Sequence, residues 1–144
     1  MENIDTIKLL QECDAGTKMA VASIDEILEK VSDSNMKQLL SESKAHHEKL
    51  DYKIHLLLAK QKGQEKEPKT IAKGMSWIKT NIKMSMDNSD ATVADLITDG
   101  CNMGVKSLNR YLNQYKAAGQ AAQEICIRLA SIEEKLCKDL RKYL

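Results

Sequence analysis

The sequence predicts an all-α protein: a four-helix bundle of two antiparallel hairpins, joined by a long crossover that contains an additional helix. Three observations lead there. Apolar residues recur at alternating steps of three and four along four long segments, which is the pattern of a helix burying one stripe. One Pro and no Phe stand against many Leu, Ile, Met, Ala and Lys, which are good helix formers. The four segments form two pairs, each closed by a short turn, with a polar and partly helical stretch between the pairs. A chain of 144 residues suits one domain with a single core, here residues 1–144.

The first helix is expected over 4–31, carried by Ile7, Leu10, Asp14, Thr17, Val21, Ile24, Leu28 and Val31. Ser32, Asp33, Ser34 and Asn35 supply cap-type side chains, so the chain can stop and restart there. The second helix, 34–62, repeats the pattern through Met36, Leu40, Ser43, His47, Leu50, Ile54 and Leu57, with Gly63 suited to a left-handed C-terminal position. The stretch from Gln64 to Glu67 is polar, and Pro68 suits the first turn of a following helix over 69–86. Asp87 to Asp90 break and recap the chain. The helix 91–116 then runs through Val93, Ile97, Gly100, Gly104, Leu108, Tyr111 and Tyr115. Gly119 closes a tight turn, and the last helix, 120–144, runs through Ile125, Leu129, Ile132, Leu136, Leu140 and Tyr143. Gly16 and Gly104 lie inside helices, where each costs up to about 1 kcal/mol relative to Ala. Tight helix crossings are expected at both.

Charge and cysteine usage narrow the function classes. A net charge of +1 gives no global pull toward nucleic acid, and no nucleic-acid partner is expected. No apolar run reaches the roughly 18 residues that span a bilayer, so no transmembrane segment is expected. Cys13, Cys101, Cys126 and Cys137 lie far apart without a CxxC pair, which reads as reduced thiols and a cytoplasmic location. A phosphate loop, a nucleophile elbow and a zinc-protease helix are all missing, so the balance is against an enzyme.

Cys13-Asp14-Ala15-Gly16-Thr17-Lys18 echoes Cys101-Asn102-Met103-Gly104-Val105-Lys106, each in the first helix of a hairpin. Two related hairpins of similar length joined by a crossover resemble the ferritin-like superfamily, in particular its small bacterial members. The resemblance covers nearly the whole chain and implies a carboxylate-bridged di-metal centre, built from Glu on two helices and Glu-x-x-His on two others. The sequence has no Glu-x-x-His. The ligand set is incomplete, and the metal candidates reduce to Asp14, His47, Asp99 and Glu133. An antiparallel turn near residue 33 sets Asp14 level with Lys53 and about 9 Å along the axis from His47. An Asp14–Lys53 ion pair is therefore expected, with His47 a neutral core histidine bonded to a hydroxyl such as that of Thr17. Glu133 and Glu134 read as solvent residues at the core edge, and Cys101 with Cys137 as facing thiols too sparse in partners for zinc.

The segment 69–86 is basic and amphipathic. Lys69, Lys73, Lys79 and Lys83 accompany Trp77 and an apolar face of Ile71, Met75, Ile78 and Ile82. Three functions follow as expectations. The first is a non-enzymatic ferritin-like bundle acting through protein contacts, with a protein partner or self-association and no cofactor. The second is a metal-binding or oxidative-stress protein holding iron or manganese with the reduced ligand set. The third is a peripheral membrane or partner-docking module that uses the basic helix.

Overall fold

The computed structural model describes residues 3–66, 68 and 89–144. All regular structure among them is helical: α1 is Ile4–Ile27, α2 Ser34–Lys60, α3 Asp90–Gln114 and α4 Gln120–Leu140, with short 3-10 turns at Leu28–Lys30 and Arg141–Tyr143. The helix expected over 69–86, with Lys69, Lys73, Trp77, Lys79 and Lys83, lies outside the described residues, as does the docking surface it would form.

The first three helices start where the sequence provides a side-chain acceptor for the free amides of a first turn, while α4, with Gly119 at its N-cap, starts without one. Asn3 caps Thr6, Asp33 caps Met36 and Ser89 caps Thr92. The end of α2 departs from expectation. Lys62, and not Gly63, takes the left-handed conformation, with φ of 56°. The Gly63 amide then reaches Leu58 O at 2.8 Å and the Lys62 amide reaches Ala59 O at 3.1 Å, the two bonds of a Schellman ending. Gly63 is needed for space: a Cβ there would lie 3.0 Å from Leu58 Cδ2 and 3.1 Å from Ile7 Cγ2.

α1 packs on α2 and α3 on α4, and the two hairpins close through α2–α4, α1–α4 and α1–α3 contacts. Polar contacts fix the ends. At one end Asn3 bonds Gln61 and the Ala117 carbonyl, and Gly119 donates to Thr6. At the other, Asp90 accepts from the Ser32 and Asp33 amides, and Tyr143 donates to Asp33. The chain therefore leaves α2 at one end of the bundle and enters α3 at the other.

The core has two apolar clusters. One, around Ile24, Ile27, Met36, Leu40, Ile97 and Leu140, fills the end near the α1–α2 turn; the other, around Leu9, Leu10, Leu50, Ile54, Leu108 and Leu129, fills the opposite end. Between them in sequence, on every helix, come polar or small residues: Asp14, Gly16 and Thr17; Ser43 and His47; Gly104; Glu133. The bundle has a polar waist.

Candidate ligand-binding site

At the waist a cavity of about 370 Å³, partly open to solvent between α1 and α3, lies within the range of small-molecule sites. Its walls come mainly from α1 (Ala15, Gly16, Met19, Ala20) and α3 (Gly100, Gly104), with His47 of α2 and Glu133 of α4 supplying polar groups. The expected tight crossings at Gly16 and Gly104 are not formed. A Cβ on Gly16 would meet nothing nearer than Leu129 Cδ2 at 4.0 Å. At Gly104 it would lie 2.4 Å from Glu133 Oε2, so this glycine makes room for a carboxylate rather than for a neighbouring helix. Both glycines of the Cys-x-x-Gly echo thus face one cavity, from opposite walls.

His47 is 1% exposed. Its Nδ1 donates to the Ser43 carbonyl at 2.7 Å, not to Thr17, whose hydroxyl is turned back to the Asp14 carbonyl of its own helix at 2.8 Å. A carbonyl can only accept, so the proton is on Nδ1 and Nε2 presents a lone pair. Burial lowers the His47 pKa and keeps the ring neutral. Glu133 is 8% exposed, which overturns its assignment to the solvent edge. The buried face of α4 carries a second seam, Cys126, Ala130, Glu133 and Cys137, one position off the Ile132 stripe. Burial, with the nearby Cys126, pushes the Glu133 carboxyl up to about 8. His47 Nε2 and Glu133 Oε1 stand 4.0 Å apart, too far for a direct hydrogen bond. Ser23 Oγ, His47 Nε2 and Glu133 Oε2 have no hydrogen-bond partner among the described residues, and all three residues line the cavity.

A second polar cluster, between α1 and α2, is arranged differently. Asp14, fully buried, accepts from His55 Nε2 at 2.8 Å, from the Lys66 amide at 2.8 Å and from Lys18 Nζ at 3.1 Å. The expected Asp14–Lys53 pair does not form, because Lys53 lies on the exposed face of α2 while Asp51 and His55 turn toward α1. Burial pushes the Asp14 carboxyl up, but hydrogen bonds from Asp51, the Lys66 amide, His55 and Lys18 outweigh it and leave the pKa lowered. Asp51 moves the other way, up to about 7, through burial and the proton it shares toward Asp14. Residues after α2 strap this cluster: Glu65 lies 3.3 Å from His55 and 3.1 Å from Lys18, Lys66 pairs with Glu12, and Gln11 donates to the Gln64 carbonyl.

The four metal candidates do not converge. His47 and Glu133 meet in the waist, Asp14 belongs to the His55 cluster, and Asp99 is exposed on α3. Among the described residues, one group has three metal-type donors within 4.8 Å of one another: Asp14, His55 and Glu65. Only Asp14 of these stood out in the sequence. Asp51 and His55, four apart on α2, were the available signal. All four cysteines are free and buried; the Cys13 thiol hydrogen-bonds to Cys126, which itself donates to the Leu108 carbonyl at 3.5 Å, and Cys137 donates to Asn102 at 3.5 Å rather than to Cys101.

No protein-family model, curated protein or solved structure matches the chain. No helix among the described residues is long and apolar enough to cross a membrane.

Proposed function

We propose that the protein is a non-enzymatic helical bundle of ferritin-like design that binds a small, largely apolar molecule in the waist cavity, oriented by His47 and Glu133. The observation that carries this reading is the cavity itself, about 370 Å³ with mostly apolar walls and two buried polar side chains, His47 and Glu133, among the residues that line it. Calorimetric titration with single-ring alcohols, ketones and amines tests the reading. Saturable binding is expected for the unaltered protein and none for Ala20→Phe, which fills the cavity. Absence of binding across the panel would overturn it.

The ferritin-like reading is supported by the directions of the helices, since α2 ends beside Asn3 and α3 begins beside Ser32. The di-metal centre of that superfamily does not fit the donors of the waist cavity, where one histidine, His47, stands with Glu133 and with Glu12, which pairs with Lys66.

Metal binding at the other cluster is a second reading, favoured by the spacing of Asp14, His55 and Glu65. Lys18 already bridges both carboxylates of that group, which argues for internal neutralisation. Iron(II) or manganese(II) titration decides it: stoichiometric binding lost in His55→Ala supports a metal site, and no uptake removes it.

A further inference from the structure

We propose that the groove between α2 and α4 is a docking surface for an acidic amphipathic helix of a partner protein. The groove shares no residue with the waist cavity, so the inference goes beyond the ligand reading and stands or falls without it.

The shape of the groove comes first. α2 and α4 are neighbours and run antiparallel, since α2 ends and α4 begins at the same end of the bundle, beside Asn3 and Thr6. Toward that end an open groove of about 500 Å³ lies between them. Its floor is apolar: Leu57 and Ile125 belong to the outer side of the core cluster beneath, with Leu56 and Ala121 beside them. Leu56 is 49% exposed, and Tyr52, one turn earlier on α2, is 66% exposed. Covering such side chains removes apolar surface from water, the main driving force of association. Two antiparallel helices with an apolar floor between them form the kind of seat that a third, amphipathic helix occupies.

The rim selects the charge of the occupant. Lys53 and Lys60 stand on the α2 wall and Arg128 on the α4 wall, against a single acid, Glu124. Lys18, Lys44, Lys66 and Lys135 pair with carboxylates elsewhere, whereas Lys53, Lys60 and Arg128 form no ion pair among the described residues. Glu124 is engaged on its own helix, where it accepts from Gln120 Nε2 at 3.0 Å. The groove therefore keeps a surplus of positive charge along both walls.

The spacing of that charge favours a helix over other anionic surfaces. Lys53 and Lys60 are seven residues apart, which is two turns or about 10.5 Å along α2. Acids repeated along a helix match this separation, and a single anionic head group does not. A bilayer is flat: it would reach Tyr52 and Leu56 on the ridge but not the half-buried Leu57 and the buried Ile125 in the floor. The chain's own stretch 69–86 carries four lysines and no acid, so like charge excludes it from this seat. Charge complementarity of this kind sets the choice of partner more than the affinity.

Three probes test the inference. The first is a peptide of about 18 residues, helical and amphipathic, with a leucine stripe flanked by glutamates. The second is the same peptide with lysine at every glutamate, and the third is vesicles of phosphatidylcholine with phosphatidylserine. Fluorescence anisotropy gives the affinity, and amide NMR shifts of the intact protein give the site. The glutamate peptide should bind saturably and at least tenfold more tightly than the lysine peptide, and should weaken at least fivefold between about 0.05 and 0.5 M salt. Shifts should concentrate at 53–60 and 121–128. Lys53→Glu combined with Arg128→Glu should reverse the preference, so that the lysine peptide binds more tightly, a gain that a misfolded variant would not show. Equal binding of the two peptides, binding of neither, or shifts centred on another face would overturn the inference. So would vesicle binding that the glutamate peptide does not displace, self-association of the protein through 53–60 and 121–128, or an unchanged preference in the folded variant. None of these outcomes bears on the waist cavity, whose ligands are titrated separately.

Discussion

Two polar clusters are buried in one bundle, and they have opposite hydrogen-bond states. Around Asp14, three donors and a shared proton converge on one carboxylate, and the strap after α2 closes over it. Around Glu133, a carboxyl and an imidazole face each other across 4.0 Å without bonding. Burial costs both clusters desolvation. The first recovers most of it internally, with Asp51 Oδ1 left without a partner among the described residues, while in the second neither His47 Nε2 nor Glu133 Oε2 has one. Opposite responses to mutation should follow.

The largest effect is expected at Asp14. Asp14→Ala removes the common acceptor of His55, Lys18 and the Lys66 amide, and should lower stability by about 3–5 kcal/mol in urea unfolding, as loss of one member of a buried charged network does. Next comes Glu133→Gln, with the opposite sign. Glu133 has a folded pKa of about 8 against an ordinary value of 4.5, so the folded state binds this proton more tightly. Its contribution to stability is fully present below about pH 4.5 and is lost as pH rises through 8. The glutamine variant should therefore gain about 1–3 kcal/mol at pH 8.5 and little at pH 4.5. A residual decline with pH should persist in it, because Asp51 at about 7 carries the same sign over a lower window.

Gly104→Ala sharpens the comparison, since stability and binding should separate there. Alanine gains up to about 1 kcal/mol of helix propensity but displaces the Glu133 carboxylate, so stability should move by less than about 1 kcal/mol. Ligand affinity should fall by about tenfold or more, because Glu133 lines the cavity. The smallest effect lies outside both clusters. Lys62→Gly relieves a left-handed non-glycine residue and should add about 0.5–1 kcal/mol, read as a higher midpoint in thermal unfolding.

The positions of four long helices were legible because a buried stripe repeats with the helical period. Boundaries agree within a few residues, with short 3-10 turns formed where helix was expected at Leu28–Lys30 and Arg141–Tyr143. The waist was half legible. Asp14, Thr17, Ser43, His47 and Gly104 all fell on the expected stripes, so polar and small residues at mid-height could be read directly. Glu133 could not, because α4 buries two adjacent seams and its neighbour Glu134 faces solvent. The partners of Asp14 were missed for a similar reason. At 100° per residue, the choice between Lys53 and His55 depends on which face of α2 meets α1, and a register estimate fixes height but not rotation. Glu65 and Lys66 come from an irregular strap, whose path periodicity does not encode. The glycines were read as contact points. The structure uses the missing Cβ atoms as volume.

The central claim, that the waist cavity beside His47 and Glu133 takes a ligand, is tested most directly by long-range proton–nitrogen NMR of the His47 imidazole during titration with cyclohexanol. The account predicts a neutral ring at pH 7 with the proton on Nδ1, and an Nε2 resonance that shifts saturably as ligand is added. An Nε2 that carries the proton, or one that stays fixed through the titration with both cyclohexylamine and cyclohexanol, would contradict it.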